Sequence, residues 1–137
     1  MNIYTIGYGN ADNELFFSTL EAAGIEVLVD VRFKPFSRWA PWTNRKALQS
    51  RCQADGMKYK WAGQTLGGNR DEFPRESLDF LGSVAEKWKT VVMCAEADPD
   101  KCHRTAVVEC LPEVQVTNLR CFPMVAKKAN PNQAQLF

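Results

Sequence analysis

The sequence predicts an α/β fold: a single domain with a mostly parallel five-stranded sheet and helices on both faces, a Rossmann-like three-layer sandwich. Three observations carry this. Short apolar runs alternate from end to end with segments whose apolar residues recur at helical spacing. Two runs, Ile25–Val31 and Thr90–Met93, are near-continuously apolar, as strands buried on both faces are. No repeat or low-complexity linker interrupts the alternation. With 137 residues, 45% hydrophobic and 24% charged, the chain can bury one sizeable core and has no length for a second domain.

Taken in order, Asn2–Ile6 is the first strand, and the glycines of Gly7-Tyr8-Gly9-Asn10 permit a tight turn into a helix from about Asp12 to Ala23. Phe16, Leu20 and Ala23 share a face of that helix, and Gly24 ends it. Ile25–Val31 is the second strand. A loop with two prolines, Phe33–Trp42, leads to a helix capped by Thr43 or Asn44, which runs to Asp55 and stops at Gly56. Met57–Trp61 is a short third strand, and Leu66-Gly67-Gly68-Asn69 is a loop. Pro74 suits the first turn of a helix to about Trp88 with Leu78, Leu81 and Ala85 on one face. Thr90–Met93 is the fourth strand. Asp98-Pro99 caps a helix to about Cys110 with Ala106, Val107 and Cys110 turned inward; Pro112 ends it, and Val114–Cys121 is the last strand. The domain is therefore read as residues 1–122, followed by a polar C-terminal tail, 123–137.

The segment richest in chemistry is Cys94-Ala-Glu-Ala-Asp-Pro-Asp-Lys-Cys-His-Arg104, which packs two thiols, a carboxylate, the only histidine and an arginine into one strand-to-helix junction. In parallel sheets the C-terminal strand ends share a crevice, so this segment should meet Gly7–Asn10 and Asp30–Arg32 there. The expected site holds Cys102, His103 and Glu96 as catalytic residues and Asn10, Asp30, Arg32, Cys94 and Arg104 as substrate-binding residues. Cys102 at a helix start beside His103 and Arg104 has its thiolate favoured by the dipole and the cations. The plainer alternative is a small residue closing a helix–sheet contact. Asp30 and Arg32 lie on one face at period-2 spacing, so a salt bridge between them competes with a substrate role.

No cofactor is expected. Gly7-Tyr8-Gly9 lacks the third glycine of a dinucleotide fingerprint. No metal is expected either, because Cys94, Cys102 and His103 are only three local ligands and the last two are adjacent, which hampers joint chelation. Five cysteines at irregular spacing suit reduced thiols in a cytoplasm better than disulfides, and neither a signal peptide nor a membrane-spanning run is visible.

Net charge is only +1, yet residues 32–60 carry eight cations against Asp55 alone, interleaved with Phe33, Phe36, Trp39, Trp42, Tyr59 and Trp61. Rings that stack on bases and cations that take phosphates would suit a nucleic-acid or nucleotide surface, whereas the near-neutral net charge favours the plainer reading of a solvated helix face plus a loop covering the core edge.

At Thr5-Ile6-Gly7-Tyr8-Gly9-Asn10, Val27–Arg32 with Pro35 and Ser37, Leu66-Gly67-Gly68, and Cys94-Ala95-Glu96 through Cys102-His103-Arg104, the chain resembles family 488 of the domains of unknown function, small prokaryotic proteins. The motifs fall in the same order over about residues 2–121. The resemblance implies a compact α/β fold and no particular activity. Members commonly have His-Ser in the first loop where this chain has Tyr8-Gly9.

Two functions follow. One is a small enzyme acting on an anionic or phosphate-bearing substrate, with Cys102 as nucleophile or redox thiol, His103 or Glu96 moving the proton, and Arg32 and Arg104 clamping the anion. The other is a nucleic-acid-associated binding or adaptor protein. The tail ends in Gln133-Ala-Gln-Leu136-Phe137, which resembles the peptide by which bacterial polymerases and repair proteins dock on the replication sliding clamp.

Overall fold

The computed structural model describes residues 1–68 and 70–121. Along the chain lie β1 (Asn2–Gly7), α1 (Asn13–Ala22), β2 (Val27–Asp30), α2 (Arg45–Ala54), β3 (Lys58–Trp61), α3 (Gly63–Leu66), α4 (Arg75–Lys87), β4 (Thr90–Cys94), α5 (His103–Glu109) and β5 (Gln115–Leu119). Short 3-10 turns at Pro41–Thr43 and Pro99–Lys101 precede α2 and α5. The segment 123–137, with Gln133, Leu136 and Phe137, lies outside the described residues, as does Asn69.

All five strands are parallel, in the order β3-β2-β4-β1-β5. The alternation along the strands sorts the core into two layers. Val27 and Val29 of β2 and Val92 of β4 face Leu66 of α3, Leu81 of α4 and Val107 and Val108 of α5. Leu28, Val91 and Met93 face Phe16, Phe17 and Leu20 of α1 and Leu48 and Cys52 of α2 on the other side. Helices thus cover both faces, as the near-continuous apolar strands require. Among the described residues no helix is long and apolar enough to cross a membrane.

The local signals act as expected at several ends. Asp12 Oδ1 accepts from the Leu15 amide at 2.8 Å to cap α1, and Gly24 past its end takes the positive φ of 72° that favours glycine. Asp98 caps the turn at Pro99 by accepting from the Asp100 amide at 2.9 Å.

Three details differ from the sequence reading. Leu66 is not loop but the last residue of the four-residue helix α3, and is fully buried. Thr43 and Asn44 do not cap α2 through their side chains: Thr43 Oγ1 donates back to the Ala40 carbonyl, and Asn44 Oδ1 accepts from the Ser37 amide. In α5 the inward residues are Arg104, Val107 and Val108, whereas Ala106 and Cys110 are exposed. The 3-10 turn consumes three residues before α5 begins, and the buried stripe becomes 104, 107, 108 and Leu111, the spacing of a helix face.

The order of strands fixes where a site can form. Chain leaving β1 and β2 turns to the α1–α2 layer, chain leaving β4 turns to the α5 layer, and β4 lies between those two strands. That divergence is a topological switch point. Beyond the paired strands, the Tyr8 amide still donates to the Cys94 carbonyl at 3.2 Å and the Gly9 amide to Ala95 at 2.8 Å, so the two exits stay zipped. Gly7 makes this possible, since a Cβ there would overlap the Glu96 carbonyl and crowd the Arg104 guanidinium. Gly7→Ala is therefore expected to destabilise the fold by about 1–3 kcal/mol, as overpacking does. A lowered midpoint in urea unfolding, with an unchanged slope, is the readout.

Candidate functional site at the carboxyl edge of the sheet

Site residues expected from sequence converge at this edge in two groups. The first is built on Asp30, the last residue of β2, which is fully buried. Its carboxylate accepts from Arg32 Nε at 2.9 Å and from the second guanidinium nitrogen at 2.8 Å, a bidentate pair, and from the Arg32 amide at 3.1 Å. Tyr59 on β3 donates its hydroxyl to the same carboxylate at 2.6 Å. Arg32 also reaches the Thr43 carbonyl at 2.6 Å and lies 5.7 Å from the centre of the Tyr8 ring. Burial works against the Arg32 charge, but Asp30 outweighs it and raises the pKa. Burial and then Asp30 push the Tyr59 phenol up, so it stays a donor.

The salt bridge read from period-2 spacing is therefore present, and the Arg32 guanidinium is spent largely inside the protein. Arg104 is likewise fully buried, and its two terminal nitrogens donate to the carbonyls of Glu96 and Ala97, the second at 3.2 Å. Both arginines hold loops rather than presenting an open clamp. Glu96 has an exposed side chain whose carboxylate accepts from the Asp98 amide at 3.0 Å, and Asn10 is exposed in the turn after β1. Neither is among the groups gathered around Cys102.

The second group is Cys94, Cys102 and His103, whose ligand atoms all lie within 4.8 Å of one another. Cys94 ends β4; Cys102 is the N-cap residue of α5, and its sulfur accepts from the Arg104 amide at 3.5 Å. His103 Nδ1 stands 4.0 Å from the Cys94 sulfur and 3.9 Å from that of Cys102. Its Nε2 is 3.0 Å from the Val31 carbonyl. A carbonyl only accepts, so Nε2 carries a hydrogen and Nδ1 is left to deal with the thiols. The adjacency of Cys102 and His103 does not keep them apart: Cys102 is extended, at φ −129° and ψ 139°, while His103 begins the helix.

Within this group one negative charge is shared, and it belongs on Cys102. The hydrogen bond with Cys94 holds its thiol far below the usual range, helped by His103, the Arg104 amide and the Arg104 charge and opposed by partial burial. Cys94, the more buried of the two, is pushed up by the same hydrogen bond and by burial, so it remains the thiol donor. The bond with Cys102 raises the His103 pKa against the pull of burial. The thiolate is thus favoured on Cys102, beside an imidazole that holds its proton more tightly and a Cys94 thiol that resists ionisation. Elsewhere burial leaves Cys52 at about 12 and raises Cys121. Two thiols and an imidazole with its other nitrogen tied to a carbonyl are also the donors by which zinc is held with one position open.

Spacing did not reveal three contributors: Tyr59, the Val31 carbonyl and Tyr8. Tyr59 sits on the neighbouring strand opposite Leu28, and only the strand order places it on Asp30. The glycines of the 60s pack against the same strand exit. A Cβ at Gly63 would overlap the Arg32 carbonyl, and one at Gly67 would crowd the Val31 carbonyl and the Phe33 amide.

The family model described as domain of unknown function DUF488 matches residues 12–77, and this is the family that the chain's motifs resemble. The match takes in the Asp30–Arg32 pair and the Gly63–Gly67 packing and ends before the Cys94–Arg104 segment. No curated protein matches the chain, and no solved structure does.

Because Asp30 compensates a buried guanidinium, Asp30→Asn is expected to cost about 3–5 kcal/mol, and Tyr59→Phe, which removes one neutral donor, about 1 kcal/mol. Urea unfolding of the two variants separates a charge held for stability from a contact of ordinary strength.

Proposed function

We propose that this chain is an enzyme of thiol chemistry with Cys102 as the attacking group. The observation that supports it best is the placement of one half-exposed sulfur within reach of the His103 imidazole, the Cys94 thiol and the Arg104 amide. Three donors around one sulfur favour the thiolate, the reactive form.

The Cys102 thiolate forms a bond to an electrophilic centre of the substrate while that centre's bond to its leaving group breaks, and the leaving group takes the Nδ1 proton of the His103 imidazolium. Water then attacks the same centre, its hydroxyl stays on the product, its proton returns to Nδ1, and Cys102 departs as thiolate. Cys94 keeps its proton throughout and donates to the sulfur. Val31 holds the imidazole in the tautomer that this requires. An anionic substrate suits the positive field of Arg104, though the guanidinium itself is engaged with the Glu96 and Ala97 carbonyls.

Alkylation with iodoacetamide and peptide mapping tests the reading. Cys102 is expected to label fastest of the five thiols, ahead of Cys110, which is more exposed but lacks these neighbours. A depressed pKa means the thiolate is already formed at neutral pH and is lost only on acidification. The Cys102 rate should therefore stay flat over roughly pH 6–8, where an ordinary thiol of pKa about 8.5 still climbs. His103→Ala is expected to slow Cys102 alkylation at neutral pH severalfold, because it removes one of the groups that favour the thiolate. A Cys102 rate that rises like an ordinary thiol's overturns the reading. So does stoichiometric zinc in the purified protein that shields both cysteines, which would assign the three donors to a metal.

A further inference from the structure

The loop that follows β2 has no part in the thiol chemistry, yet it carries three of the four exposed large apolar side chains among the described residues. Phe33, Phe36 and Trp39 are 54%, 69% and 89% exposed. They recur every third residue, and the exposed cations Lys34 and Arg38 fall between them, with Lys46 following on α2. No acidic residue occurs between Asp30 and Asp55. Among the described residues none of these three cations is in an ion pair, in contrast to Arg51, which pairs with Asp55 and Glu14.

Exposed rings on a floppy loop would collapse onto the nearest apolar surface, but this loop is tied down. The Ser37 amide donates to Asn44 Oδ1 at 2.7 Å, the Ala40 amide to Ser37 Oγ at 3.0 Å, and the Arg45 amide to the Pro35 carbonyl at 3.0 Å. At its start Arg32 is locked to Asp30 and to Thr43. The other three aromatics of the region are structural. Trp42 packs on Phe16 and Tyr8, Tyr59 bonds Asp30, and Trp61 donates to the Arg32 carbonyl and carries Arg45 at 4.5 Å. Phe33, Phe36 and Trp39 are thus held in water by a braced backbone.

We propose that the Phe33–Trp39 loop is a docking surface for single-stranded nucleic acid. Flat bases stack on exposed rings without regard to sequence, and unpaired cations between the rings take the phosphates. An acidic peptide would use the cations and leave the rings unexplained. A braced loop also spares a flexible strand the cost of ordering both partners. The proposal is read by binding, whereas the thiol chemistry is read by alkylation, so either can fail alone.

The test is fluorescence anisotropy of the full chain with a labelled single-stranded DNA of about 20 nucleotides, a length that spans several stacked bases. Binding at low salt that weakens as salt rises is expected. Replacing Phe36 and Trp39 together by Ala should weaken it by about tenfold or more. Both side chains are exposed, so circular dichroism of that variant should match the parent. Lys34→Gln with Arg38→Gln should lower the slope of log affinity against log salt by about 1.4, or about 0.7 per phosphate contact. Three results overturn the proposal: no binding at low salt, equal binding by the double aromatic variant, or an equal affinity for polyglutamate. Ring-dependent binding to anionic lipid vesicles without binding to the oligonucleotide overturns it as well and assigns the loop to a membrane surface.

Discussion

One buried carboxylate organises this edge of the sheet. Asp30 takes four hydrogen bonds, from the amide and two guanidinium nitrogens of Arg32 and from Tyr59. A fully buried carboxylate is costly unless it is paired and bonded, and this one is both. Its bonds orient the chain leaving β2. Val31 is thereby placed with its carbonyl on His103, and Arg32 with its second nitrogen on Thr43 at the far end of the aromatic loop. The imidazole, the loop and β3 all take their positions from a single side chain.

A second constraint is steric. The exits of β1 and β4 touch because Gly7 has no side chain, and the exit of β2 is covered closely because Gly63 and Gly67 have none. Arg104, fully buried on α5, closes the arrangement from above through the Glu96 and Ala97 carbonyls. Close backbone approach and buried guanidinium groups thus do the work that a hydrophobic plug does in the two core layers.

Much of this was legible in the sequence. The parallel sheet, its five strands and the two helix layers follow from uninterrupted apolar runs such as Val91-Val92-Met93 and from the helix-period segments between them. The Asp30–Arg32 pair was legible from spacing, and so was the cluster around Cys102, since Cys94 and Cys102 flank one junction. What stayed hidden depends on distant partners. The order β3-β2-β4-β1-β5 sets Tyr59 against Asp30 and Val31 against His103, and no local pattern encodes it. The 3-10 turn at Pro99 changed which face of α5 is inward, burying Arg104 and exposing Cys110. Arg104 reads as half of an anion clamp in sequence, because the main-chain carbonyls that occupy it leave no local signal.

The placement of β4 between β1 and β2 bears on how the chain can be divided. Strands adjacent in sequence, β1 and β2, do not pair; residues 90–94 form the strand that joins them, β1 having β5 and β2 having β3 on the other side. The family-matched stretch 12–77 therefore contains only the β2–β3 pair and lacks the strand that closes one side of it. Without β4 one edge of β2 is left with unpaired backbone groups beside its buried side chains. During synthesis the nascent chain must carry unpaired apolar strands until β4 emerges, and the long sequence separation of the pairing slows closure of the sheet. The smallest piece that can hold this architecture extends beyond residues 12–77.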